Sequence, residues 1–143
     1  MSTYKNKTFS TLIITLVCML MSGLTFAGDK ISPMTVDGAT TVTTDEAKKL
    51  FDEGALFVDV RRDSDWEAGR VQDAVHLNIK STFNEENLLK ELKKDEPVIL
   101  YCNGEKCLRS SNACIKAVSW GFSKVYYYRD GFPAWKKAGY PSE

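Results

Sequence analysis

Val98-Ile99-Leu100-Tyr101-Cys102-Asn103-Gly104-Glu105-Lys106-Cys107-Leu108-Arg109-Ser110-Ser111 is the stretch on which the reading of this chain turns. Four apolar residues, a polar run that opens with a cysteine, and serines ahead of an apolar-periodic segment describe a buried strand, a short loop and a helix. Cys102 then stands at the carboxyl end of the strand and faces the start of the helix. Loop N–H groups and the helix dipole both favour a thiolate in that position. The competing local reading is two buried or disulfide-bonded cysteines beside an ordinary turn. Ser110 or Ser111 is expected to cap the helix, with Ala113, Cys114, Ala117 and Val118 facing inward and Gly121 closing it.

Upstream and downstream of this stretch, strands and helices alternate. Thr43 and Glu46 form a capping-box pattern, followed by Ala47, Leu50 and Phe51 at helical spacing and a stop at Gly54. Ala55–Val60 is a continuous apolar run of the kind buried on both faces of a sheet. A polar loop, Arg61–Asp65, leads into a short helix through Trp66-Glu67-Ala68 that Ser64 or Asp65 would cap. Ala74–Leu77 reads as a short strand, Asn84–Lys94 as an amphipathic helix, and Lys124–Tyr128 as a strand. Asp130-Gly131 marks a turn, Pro133 suits a first helical position, and a last short helix ends at Gly139. The predicted fold class is α/β: one domain with a central, mostly parallel sheet and helices on both faces. The crevice of such a sheet lies outside the carboxyl ends of its strands. Arg61–Asp65, Cys102–Arg109 and Arg129–Pro133 meet there.

Composition bounds the function. Lys+Arg and Asp+Glu are equal at 19 each among 143 residues, so no basic excess points to nucleic acid or an anionic membrane surface. Lys5 and Lys7 precede an uncharged, mostly apolar run from Phe9 to Met21, and Thr25-Phe26-Ala27 offers small residues for a peptidase. Residues 1–27 are expected to be a cleavable signal peptide, residues 28–42 a loose leader with a short strand near its end, and residues 43–143 the domain. The apolar run is short for a span, which needs about 20 residues. The expected location is the periplasm or the exterior, with no membrane contact after cleavage. Cys18 leaves with the signal, and Cys102, Cys107 and Cys114 remain. Three cysteines and the single His76 do not make a zinc pattern, so no metal or cofactor is expected. His76 reads as a partnered structural histidine, and Cys114 as inert core.

From Thr43 to Pro141 the chain resembles a rhodanese-homology domain. The resemblance rests on Asp59-Val60-Arg61 with Trp66-Glu67-Ala68-Gly69, on Tyr101-Cys102, on Gly121-Phe122 with Val125-Tyr126, and on Gly131-Phe132-Pro133-Ala134-Trp135 with Ala138-Gly139-Tyr140-Pro141. No single motif decides it; their order and spacing do. The resemblance implies a sulfurtransferase. Cys102 would take sulfane sulfur from a donor such as thiosulfate, hold it as a persulfide, and pass it to a thiol, cyanide or a protein acceptor. Backbone N–H groups of Asn103, Gly104, Glu105, Lys106, Cys107 and Leu108 would bind the persulfide charge, and Arg109 or Lys106 would favour the thiolate. Asp59 reads first as a structural carboxylate and otherwise as a group that positions loop N–H donors; Arg61 is its neighbour in that support.

Three departures stand out. Six residues separate Cys102 from Arg109, where many catalytic rhodaneses have four and the phosphatases of this fold five. Cys107 occupies the place where the shorter loop has its arginine, and Arg70 stands where histidine is common. Related domains carry the same Cys-Asn-Gly-x-x-Cys loop. Cys107 has three readings: a thiol that resolves Cys102 as a reversible disulfide, a structural bridge, or a buried residue at the helix start. The first is favoured. Two other functions stand beside the sulfurtransferase: a non-catalytic binding module on the same fold, and a thiol–disulfide redox protein using Cys102 and Cys107.

Overall fold

The computed structural model describes Gly28 and residues 30–143. The expected signal peptide lies outside the described residues. In chain order the elements are β1 (Ala39–Thr41), α1 (Thr44–Asp52), β2 (Leu56–Asp59), α2 (Asp63–Ala68), β3 (Val75–His76), α3 (Glu85–Glu91), β4 (Val98–Tyr101), α4 (Arg109–Ser119), β5 (Val125–Tyr128) and α5 (Gly131–Lys137). The five strands form one sheet in the order β1-β5-β4-β2-β3, and every pairing is parallel.

Period-two alternation along the strands builds two cores. Val98 and Leu100 of β4 pack with Val58, Val125 and Tyr127 against Leu88 of α3 and Ala113, Cys114 and Ala117 of α4. Ile99 and Tyr101 point to the other face, with Phe57 and Tyr128, against Ala47 of α1 and Phe132 and Trp135 of α5. The expected α/β sandwich is therefore observed, with α3 and α4 on one face and α1 and α5 on the other. β4 lies at the centre, buried at all four residues, which is why it reads as an unbroken apolar run. The three adjacent tyrosines of β5 are packing residues, split between the two faces.

Several boundaries differ from expectation. Thr43 and Glu46 do form the capping box of α1. Helix α4, however, begins at Arg109 with Leu108 as its N-cap and no side-chain cap; Ser110 and Ser111 lie inside the first turn, both buried. Ser111 Oγ instead donates back to Leu108 O. Helix α2 starts after Arg62, again without a side-chain cap. Helix α5 starts at Gly131, two residues before Pro133. Residues 30–42 are not loose. Ser32 and Val36 are buried, Tyr127 Oη donates to Pro33 O, and β1 adds to the sheet beside β5.

Candidate active site

The loop from Cys102 to Leu108 connects the carboxyl end of β4 to α4, so the thiol position lies at the crevice edge of the sheet. Cys102 is 1% exposed. It is disulfide-bonded to Cys107, with the two Cα atoms 6.3 Å apart. Of the three readings of Cys107, burial at the helix start as a lone thiol is thereby set aside. The third cysteine, Cys114, is a buried free thiol on α4, and burial pushes its pKa well above the ordinary thiol range.

Three sets of contacts hold the loop. At its centre Gly104, with φ +109°, turns the backbone so that Cys107 N–H donates to Gly104 O at 3.0 Å. That N–H is committed in this state and does not join the anion-binding donors expected of residues 103–108. At its base Phe132 N–H donates to Cys102 O at 2.9 Å. Gly131, with φ +68°, makes this approach; a Cβ there would sit 2.7 Å from Gly104 N. At its outer edge Ser32 donates from both its N–H and its Oγ to Glu105 O, each at 2.7 Å. Arg129 in turn donates through Nε and Nη2 to Ser32 O at 3.3 and 3.1 Å, and its Nη1 lies 3.6 Å from the Glu105 carboxylate.

Asp59 and Arg61 form the buried support beneath. Arg61 donates to Asp59 through its backbone N–H at 2.9 Å and its guanidinium at 2.6–3.0 Å. Its remaining donors reach Gly69 O at 2.6 Å and Asn103 Oδ1 at 3.1 Å. Tyr101 Oη donates to Asp59 Oδ2 at 2.8 Å and accepts from Val71 N–H at 3.2 Å. Burial works against the Arg61 charge, but the Asp59 carboxylate outweighs it and leaves the guanidinium pKa raised. Burial, then Asp59, raises the Tyr101 hydroxyl far above its usual range. Asn103 passes the support outward: its Nδ2 donates to Asp65 Oδ2 at 3.1 Å. Partial burial opposes the Asp65 charge, yet bonds from Arg62 and Asn103 hold its pKa below the ordinary value.

Arg109 is the first residue of α4, half-buried, with Nη1 3.5 Å from Asn78 Oδ1. No acidic residue occupies the first turn of α4, so its positive end is not cancelled from within the helix. His76 is structural in its contacts: Nε2 lies 3.1 Å from Arg61 O and the ring stacks on Trp66 at 4.8 Å. Outside the loop an open groove of about 460 Å³ runs between Asn103–Lys106 and Asp130, Pro133 and Lys137. A second groove, lined by Gly54, Leu56 and Pro97, lies at the amino ends of β2 and β4, away from both cysteines. Among the described residues no group of three or more His, Cys, Asp or Glu side chains converges as a metal site.

The structure thus joins the loop of residues 102–109 to Arg61 and Asp59 through Asn103, while Arg109 reaches Asn78. Sequence reasoning did not single out Ser32, and it placed Arg129 and Gly131 in a crevice loop without giving them a role. Gly131 carried a signal, the Asp-Gly turn that follows a strand; Ser32 carried none.

Comparison with known proteins agrees with this architecture. The family profile described as a rhodanese-like domain matches residues 43–138. The thiosulfate sulfurtransferase GlpE of Pseudomonas syringae pv. syringae is 31% identical over 102 residues, covering 71% of this chain and 91% of that protein. Its counterpart in Actinobacillus pleuropneumoniae is 32% identical over 105 residues, covering 73% and 93%. Among solved structures, the rhodanese-like domain of the Alr3790 protein from Anabaena superposes with a TM-score of 0.62 at 24% identity, covering 72% of this chain and 77% of that one, a likeness of fold. With its profile match, its sheet and its curated relatives in accord, this chain belongs to the rhodanese-like domain family.

Proposed function

We propose that the chain is an exported sulfurtransferase that carries sulfane sulfur on Cys102. The observation that carries this reading is the position of Cys102. It directly follows the central strand and lies in a loop held from three sides, and that loop runs into an α4 terminus whose positive end has no carboxylate in its first turn. A persulfide anion at that point is stabilised by the helix terminus and by loop N–H groups, and Arg109 at the head of α4 adds positive charge to that end. The same field draws an anionic donor, and thiosulfate fits it. In the transfer the Cys102 thiolate attacks the outer sulfur of thiosulfate, the sulfur–sulfur bond of the donor breaks, and sulfite leaves with the bonding pair. The curated relatives that this chain matches over most of their length bear the thiosulfate sulfurtransferase name, which supports this chemistry. Export is supported by the charged start, the short apolar run and the small residues ending at Ala27.

Intact-mass analysis tests both halves. Protein recovered from an export-competent cell is expected to begin at Gly28. After reduction and treatment with thiosulfate it should release one sulfite per chain, and Cys107→Ser should retain one added sulfur atom. Cys102→Ser should gain none. A folded, reduced wild-type chain that takes up no sulfur and yields no sulfite overturns the sulfurtransferase reading.

The Cys102–Cys107 bond favours a second property of the same site. A disulfide-bonded Cys102 is no nucleophile, so reduction must precede each round of transfer that begins from this state.

A further inference from the structure

We propose that Cys107 discharges the sulfur from Cys102 as sulfide, so that the Cys102–Cys107 disulfide is the end state of a thiosulfate-reducing half-reaction. This inference rests on the persulfide reading above and deepens it, assigning a product and a reductant class to the same site.

The two sulfurs lie on backbone that contacts other than the disulfide also hold. The Gly104–Cys107 turn, the hydrogen bond from Phe132 N–H to Cys102 O and the two hydrogen bonds from Ser32 to Glu105 O hold the loop ends in place. The 6.3 Å separation of the Cα atoms lies inside the range a disulfide spans, about 4.4–6.8 Å. A reduced loop with these contacts keeps Cys107 within reach of Cys102. A persulfide formed on Cys102 is then exposed to a neighbouring thiol at the high effective concentration of an intramolecular reaction. Cys114 does not compete: it is buried in the core on α4 and its thiol is held protonated by burial.

The step balances without an outside oxidant. The Cys107 thiolate attacks Cys102 Sγ. The bond between Sγ and the terminal sulfur breaks, and hydrosulfide leaves with the electron pair. The proton lost by the Cys107 thiol leaves with it as hydrogen sulfide at acidic to neutral pH. The sulfane sulfur is reduced to sulfide, and the two cysteine thiols are oxidised to the disulfide. Hydrosulfide is a better leaving group than an alkyl thiolate, which directs attack to Sγ over the terminal sulfur. The cycle restarts when a dithiol, of protein or small-molecule kind, reduces the bond through a mixed disulfide. Cys107, half-buried where Cys102 is almost fully buried, is the sulfur that meets this reductant. The lengthened loop has a purpose in this scheme: it seats a second sulfur where a four-residue loop has an arginine.

A single-turnover experiment on the full chain decides the matter. Reduced protein, freed of reductant, receives one equivalent of thiosulfate while sulfite, sulfide and intact mass are followed. Wild type should release one sulfite and one sulfide per chain and end two hydrogens lighter, with a Cys102–Cys107 crosslink in its peptide map. Excess dithiol should convert this to multiple turnover. Cys107→Ser and Cys107→Ala should release sulfite, retain the added sulfur on Cys102, and form sulfide at least ~100-fold more slowly without added thiol, the intramolecular advantage being lost. The inference is overturned if wild type holds its persulfide as long as the Cys107 variants do. It is equally overturned if peptide mapping finds the added sulfur resting on Cys107 with no sulfide released. Absence of sulfite from wild type and variants alike is a different result, the failure of the persulfide reading itself. The wild-type end mass needs no variant, so a variant that does not fold leaves the test intact.

Discussion

Gly131 shows how much of the site depends on a missing atom. Its φ of +68° is unfavourable for any residue with a Cβ, and an added methyl would press on the Cys102 carbonyl and on Gly104 N. Gly131→Ala is expected to cost about 1–3 kcal/mol through backbone strain, more if the loop does not yield. Its rate of sulfite release should fall further than its stability, since the displaced atoms belong to the loop that carries Cys102. Thermal melts beside single-turnover assays check this; a variant with unchanged kinetics would show that the close approach does not matter. Asp59 and Arg61 were legible as a pair near the crevice because they close a buried strand, but their job is visible only in three dimensions. Asp59 is fully buried, fixes Arg61, and Arg61 reaches the loop through Asn103. Ser32 was illegible for a plain reason: its partner, Glu105, lies 73 positions away, and no local pattern marks a serine that will bond to a distant carbonyl.

Among the elements, α1 is the most fully written in the sequence. Thr43 Oγ1 accepts from Glu46 N–H at 3.3 Å, and Thr43 N–H donates to the Glu46 carboxylate at 2.8 Å. Removing the cap by Thr43→Ala should destabilise the fold by about 1 kcal/mol, read from chemical denaturation. The backbone and side-chain bonds from Thr43 hold the Glu46 pKa below its ordinary value of 4.5. The sign follows from that lowering: the carboxylate's contribution is complete above pH 4.5 and is lost as pH falls through the lower, folded value. The stability difference between wild type and Glu46→Ala should therefore narrow under acid, while Thr43→Ala keeps the backbone N–H that donates to this carboxylate. A gap that is constant with pH would show that the Glu46 bond contributes nothing. Helix α4 was less legible at its start. Its serines look like caps, yet the residues before them are spent on returning Cys107 toward Cys102, which leaves Leu108 in the αR region as N-cap and draws Ser110 and Ser111 inside. Where a loop must close on a covalent bond, local capping preference yields to it.

For the whole molecule, alternation of strands and helices was enough to predict a parallel sheet, because short parallel strands need crossovers. The order of the strands was not, since β1 pairs with β5 across more than half of the described chain. The disulfide adds little to this frame. Its cysteines are separated by 5 positions, and closing so short a loop contributes about 2 kcal/mol in the chain-entropy account. Reduction is expected to lower Tm by no more than roughly 10 °C and to leave the sheet folded. Calorimetry with and without a dithiol measures it, and unfolding on reduction would mark the bond as structural, against a catalytic cycle that must break it. The tie between residue 32 and the loop has a practical side. The Ser32–Glu105–Arg129 contacts place the segment around Ser32 in direct touch with the chemistry, whereas Glu143 is stitched to Arg70 by paired backbone bonds. A fluorophore or affinity handle fused just ahead of Lys30 would hang from the reactive loop like a weight on a trigger, and one fused after Glu143 would pull instead on the Arg70 pairing.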